Sequence, residues 1–184
     1  MTRSAKGFIS SGNQSMIKSK DNLYLLLGAI GGCLTFLGLF LPPKLNSICF
    51  VIGSTFLLIT AINFKLVYFI ALETILISGH AAILFGIGLT LQIALPILLS
   101  LQLLIFYGLS GQLTNLYILI GITGIALHSV GFVHQNDIIF LGGNATIAIY
   151  AIYAAQQTKQ AWLWAILNGC FALFSLTNLL IHAY

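Results

Sequence analysis

Residues 22–38 read NLYLLLGAIGGCLTFLG, and residues 115–131 read NLYILIGITGIALHSVG. Aligned without a gap, eight of the seventeen positions are identical, including Tyr24 with Tyr117 and Gly28, Gly31 and Gly38 with Gly121, Gly124 and Gly131. A composition this biased gives roughly two identities by chance. With small shifts the match continues: Gly53 falls on Gly143, Ala61 on Ala151, Ile62 on Ile152, and Glu73 on Asn168. The chain therefore contains an internal repeat. Its two copies are separated by an apolar stretch of about the length that one membrane crossing needs, roughly 20 residues.

Composition names the solvent. Of the 184 residues, 59% are apolar and 5% charged, against about 25% charged in ordinary soluble domains. So few charges cannot clothe a water-soluble surface, whereas lipid needs none. A soluble enzyme is excluded, and so is disorder, which requires low hydrophobicity and high charge. The seven Lys and Arg are scattered, so no basic stripe marks a nucleic-acid partner. The partner implied is the lipid bilayer.

Seven segments are long enough to span it, approximately 22–42, 46–63, 66–88, 91–109, 114–133, 138–155 and 161–182. Pro42-Pro43, Lys65, Gly111, Asn136 and Lys159 punctuate the breaks. The predicted fold is an all-α integral membrane protein. It has a cytoplasmic tail (1–21), a three-helix repeat (22–88), a linker helix (91–109) and a second three-helix repeat (114–182). Three helices repeat in the same orientation only if an extra crossing intervenes, which gives a parallel 3+1+3 arrangement. Arg3, Lys6, Lys18, Lys20, Lys65 and Lys159 fall on one side and Lys44 on the other. The positive-inside rule then places the amino terminus in the cytoplasm and Tyr184 outside.

Cys33, Cys49 and Cys170 lie in apolar stretches without zinc-type spacing and read as small packing residues. Glu73 is the one carboxylate within a span, where a charge at helix centre costs about 2.5–3.5 kcal/mol on insertion scales. It must face the bundle interior, a partner or water. Trp164 and Asn168, four apart, share a helix face and sit at a depth similar to Glu73. A stacking plate beside an amide suits an uncharged polar ligand. Counting residues along each span places His80, His128 and Asn144 together in a second, outer polar layer, a solute contact or a proton route with Glu73. The substrate-binding candidates are therefore Glu73, Trp164, Asn168, Asn144, His80 and His128. No nucleophile–base pair, phosphate loop or metal-ligand spacing occurs, so no catalytic residue, metal or cofactor is expected.

Two parallel three-helix repeats joined by one helix resemble the SWEET sugar transporters and the PnuC-type vitamin-precursor transporters. The resemblance covers nearly the whole chain after residue 21. Trp164 and Asn168 in WAILN are similar to the W-x-x-x-N segments of the PnuC type. The Pro and Pro-Gln signatures of sugar-transporter and PQ-loop relatives are missing from the interiors of helices one and five. The resemblance implies a transporter, facilitative or proton-coupled, for an uncharged polar solute such as a sugar, nucleoside or vitamin precursor. The alternatives are a membrane sensor or an accessory subunit of a membrane complex; oligomeric state, homo-oligomer included, stays open.

The charge count fixes a first prediction. In a background freed of native cysteines, Ser15→Cys and Gln157→Cys are shielded from an impermeant thiol reagent in intact cells, and Gln135→Cys reacts. Labelling at Ser15 with protection at Gln135 reverses the orientation.

Overall fold

The computed structural model describes residues 5–182, with side chains from Ser19 onward; Arg3 and Tyr184 lie outside them. Among these residues every regular element is helical: α1 Ala5–Gly38, α2 Pro43–Asn63, α3 Val67–Leu84, α4 Leu89–Leu109, α5 Leu116–Val133, α6 Asp137–Gln157 and α7 Trp162–His182, the last entered through a short 3-10 turn at Lys159–Ala161. Seven helices are long and apolar enough to cross a membrane. In lipid each backbone N–H and C=O must be satisfied within the protein, which a helix does by itself.

The helices end where the sequence permits a reversal. Lys65, Gly86, Gly111 and Gln135 each take a positive φ just past a helix. The residue after each donates its N–H back to a carbonyl five positions earlier, as in Leu66 to Ala61, Ile87 to Ala82, Gln112 to Tyr107 and Asn136 to Gly131. These are Schellman caps that occupy otherwise orphaned carbonyls. The break at Gly86 separates α3 from α4, so the two do not fuse into one long helix. Pro43 opens α2 at a position where its missing N–H costs nothing. The segment expected to form the tail is helical from Ala5 and runs unbroken into the first span. Asn115 caps α5 by accepting from the Tyr117 N–H, whereas its repeat mate Asn22 lies in mid-helix.

Helices α1, α2 and α3 pack in chain order, as do α5, α6 and α7. The ring closes through α1 against α7 and α3 against α5, and α4 rides outside on α3 and α5. Its inward stripe is Pro96, Ser100, Leu103 and Tyr107, at helical spacing, while Leu98, Leu101 and Ile105 face outward. Cys33 and Cys170 also face outward, so these two are not interior packing residues.

Between helices in lipid there is no hydrophobic drive, and close approach of small residues supplies the contact. The same approaches occur in both halves. A Cβ on Gly31 would strike the Gly53 carbonyl and Phe56, and one on Gly124 would strike Thr146 and Ile147. Gly38 abuts Phe50, and Gly131 abuts Phe140; Gly53 abuts Thr35, and Gly143 abuts His128. The α1–α2 and α5–α6 hairpins thus share one set of contacts at repeat-matched positions.

Gly143 meets backbone of α5, which cannot swing aside, whereas a Cβ on Gly142 would meet only Leu127 Cδ1 at 4.0 Å. Gly143→Ala is expected to lower stability by about 1–3 kcal/mol, the usual range for overpacking. Gly142→Ala is expected to be neutral or stabilising. Reversible unfolding in mixed micelles distinguishes the two.

Candidate functional site: a buried polar chamber beneath an open vestibule

The chemistry begins on α3. Glu73 lies one turn beyond Phe69, and it is 1% exposed. Its Oε1 accepts a hydrogen bond of 2.7 Å from Trp164 Nε1 on α7. Trp164 is wholly buried, and its indole stacks on Phe69 with ring centroids 4.5 Å apart. Phe69 and Trp164 are repeat mates, as are Glu73 and Asn168, so α3 and α7 meet at the centre of the bundle through matched positions. Asn168, one turn on, donates its Nδ2 to the Trp164 carbonyl at 2.9 Å.

Above this tie lies a small cavity of about 10 Å³, room for a single water. Thr35, Ser54, Glu73, His128 and Asn168 supply its polar wall, and Phe50 and Phe171 its apolar lid. Three atoms of this wall are buried without a well-formed hydrogen bond: His128 Nε2, and Ser54 Oγ and Glu73 Oε2, which have each other as neighbours. Buried polar atoms are rarely left so, and each costs about 1–3 kcal/mol when no water or ligand serves it.

His128 Nδ1 lies 2.9 Å from Asn144 Oδ1, and Asn144 Nδ2 donates to the Phe140 carbonyl at 2.7 Å. With its amide group turned that way, Asn144 presents an acceptor to the ring. Nδ1 therefore carries the proton, and Nε2 is left with a buried, unpartnered lone pair. A second cavity of about 10 Å³ adjoins, lined by His80, His128, Ser129, Phe132 and Pro96. His80 stacks on Phe50 at 4.3 Å and meets the edge of Phe132 at 4.2 Å, with Nδ1 unpartnered.

Beyond these lies a vestibule of about 520 Å³ at the end of the bundle where α1, α3, α5 and α7 terminate. Asn46, Gln92, Gln135, Asn136, Asp137 and Asn178 furnish its polar lining. Phe132 and Phe140 stand between it and the chamber, packed on Phe50 and Phe171. The opposite end is shut by Phe69, Trp164, Tyr68 and Tyr150. The Tyr68 hydroxyl donates to the Gly121 carbonyl at 2.7 Å.

The six sequence candidates are all buried, but their grouping differs from the expected two layers. Glu73, Asn168 and His128 share the chamber, and His128 also lines the cavity of His80. Asn144 lines none of these three cavities; it holds the His128 ring. Trp164 shows no free face, because Phe69 covers one and its N–H is committed to Glu73. Trp162, by contrast, is half exposed, as an interfacial tryptophan would be. Residue counting gave height in the membrane but not the direction in which a side chain points. Thr35 and Ser54 were missed, although the repeat offsets set Thr35 on His128 and Ser54 on Asn144. Each half thus contributes matched polar positions from its three helices.

Fold and site together define a multi-pass helical membrane protein with a polar chamber at its centre. Comparison with protein-family models, with characterised proteins and with solved structures gives no match.

Trp164→Phe keeps the stacking on Phe69 but leaves Glu73 Oε1 unpaired. The expected loss of stability is about 1–3 kcal/mol. Trp162→Phe, made at the exposed indole, is expected to change stability by less than about 0.5 kcal/mol. Unfolding of both variants in mixed micelles tests this; an equal loss in the two would remove the Glu73–Trp164 bond from the account.

Proposed function

We propose that the protein is a facilitative transporter of an uncharged polar solute, built as parallel three-helix repeats (3+1+3) in the manner of the SWEET and PnuC-type proteins. One observation carries the reading: Thr35 with His128, Ser54 with Asn144, and Glu73 with Asn168 are repeat mates, and all but Asn144 line the same central chamber. A pathway between two similar halves places its binding groups near the midplane in this way. The vestibule, on the face that the Lys and Arg distribution assigns to the outside, admits a small solute. The chamber fits one water as it stands, which this reading takes as a state with the vestibule accessible and the centre closed. Passage requires one half to rock against the other, which parts the Phe50–Phe132 layer and enlarges the chamber. Amide, hydroxyl and carboxyl groups then meet the solute, and nothing in the chamber wall carries a fixed positive charge to select an anion.

The test is counterflow of labelled glucose, uridine and a vitamin-precursor nucleoside in proteoliposomes, at equal pH on both faces. Exchange of one of them above empty liposomes is expected. Asn168→Ala removes an amide that bonds solute through Oδ1. Losing one neutral bond and stranding its partner predicts an affinity about five- to a hundred-fold weaker, with folding retained. Absence of exchange with all three solutes would favour the sensor or accessory-subunit reading. Parent-like exchange by Asn168→Ala would take that residue out of the binding site.

A further inference from the structure

Three buried side chains along one line from the chamber toward the vestibule share a property. Glu73 Oε2, His128 Nε2 and His80 Nδ1 are each buried and unpartnered. They are also arranged in sequence through space. Glu73 and His128 line the chamber, His128 and His80 line the next cavity, and that cavity shares Phe132, Ile83 and Val133 with the vestibule. The chamber has room for about one water, whereas the His80 cavity is walled almost wholly by apolar atoms. A carboxyl oxygen and a ring nitrogen with a free lone pair on one small chamber, with a second imidazole behind them, are the components of a proton relay.

We infer that the protein carries protons from the vestibule to Glu73 by way of His80 and His128. The inference rests on the transport reading for its purpose, which is to couple solute passage to a proton gradient, but not for its test. His80 takes a proton from the vestibule side at its unpartnered Nδ1 and gives up a ring proton toward His128, returning neutral. That proton binds His128 Nε2 while Nδ1 keeps its own proton against Asn144. The resulting imidazolium gives the Nε2 proton to the chamber water. That water releases one of its own to Glu73 Oε2, and the imidazole returns neutral. Asn144 fixes the ring in the one tautomer that leaves Nε2 free to receive, so it acts as a positioning residue.

The titratable groups around Glu73 are few. On α3 itself they are Tyr68 and His80, on α4 Tyr107, on α5 His128 and on α6 Tyr150. Toward the chamber, α1 and α2 present the hydroxyls of Thr35 and Ser54, and α7 presents Trp164 and Asn168. Among the described residues no Lys or Arg lines these cavities to hold Glu73 permanently ionised or to repel an arriving proton.

The indole bonded to Glu73 is a built-in reporter. In a Trp162→Phe background, Trp164 is the single tryptophan of the chain. With the protein in nanodiscs, its emission is followed after a stopped-flow pH jump, without solute. A pH-dependent step in emission is expected, and Glu73→Gln abolishes it. His128→Gln and His80→Gln keep the amplitude but slow the step about 100-fold, the lower range of what a positioned proton carrier contributes. His80→Gln leaves the His128–Asn144 bond intact and serves if His128→Gln fails to fold. Emission that does not change with pH, a step that survives Glu73→Gln, or parent rates in the folded His variants each overturn the relay. Solute counterflow at equal pH reads the transport proposal separately, so failure of one is not mistaken for failure of the other.

Discussion

A carboxyl group carried into the hydrocarbon region has to be met by the protein, since lipid offers it nothing. Glu73 is met by Trp164, across the two halves of the chain and 2.7 Å away. Much of the interior follows from that pairing. To bring its N–H to Glu73, the indole lies flat on Phe69, which fixes the rotation of α7 against α3. That rotation turns Asn168 inward with it, and Asn168 holds its own place by bonding the Trp164 carbonyl. A hydrogen bond to a charged or strongly polar group contributes about 1.5–3 kcal/mol net, but leaving the carboxyl unserved would cost more. The pair is therefore better understood as avoiding a penalty than as adding stability.

The glycines act in the complementary way, by removing obstacles. Gly53 and Gly143 let α1 and α5 approach their hairpin partners so closely that Thr35 and His128 lie against backbone. Identical spacing in the halves then produces different chemistry. In the first half the matched positions hold Thr35 and Ser54, small hydroxyls; Thr35 spends its proton on the Gly32 carbonyl of its own helix. In the second half they hold His128 and Asn144, which bond each other and fill more space. The chamber is framed symmetrically and lined asymmetrically, with the carboxyl on one side and the imidazole on the other.

How much of this the sequence discloses depends on whether a property belongs to a residue or to a direction. Spans and loop positions are properties of composition and spacing, and they emerge close to where the structure has them. Glu73 stands out because a lone carboxylate in an apolar run has few tolerable placements. Trp164 and Trp162 look alike in sequence, two residues apart, and only the rotation of α7 sends one inward and the other to the lipid edge. Asn144 reads as a pathway residue by depth but turns aside to hold His128. Ser54 and Thr35 escape notice because buried hydroxyls commonly satisfy themselves on their own helix, and only the repeat alignment marks them as partners of His128 and Asn144. The extent of the first helix is hidden for a related reason: polar residues can continue a helix beyond an apolar span, and Asn22, unlike Asn115, starts nothing.

The two closures of the chamber are chemically unequal, and this bears on how a pathway could open. On the vestibule side, Phe50, Phe132, Phe140 and Phe171 meet one another only through ring contacts. Such contacts are worth about 0.5–1.5 kcal/mol a pair and survive sliding. On the far side, the halves are joined by directional bonds, Trp164 to Glu73 and Tyr68 to the Gly121 carbonyl. Those bonds cannot stretch without exposing buried donors and acceptors, so this closure opens only if something replaces them. In the transport reading, the vestibule side yields first to thermal motion. The far side yields when a solute in the chamber offers Glu73 the hydrogen bonds that Trp164 had supplied. A ligand shifts an equilibrium only by its difference in affinity for the two states. In that reading, exchanging the Glu73–Trp164 bond for a bond to solute would supply the difference.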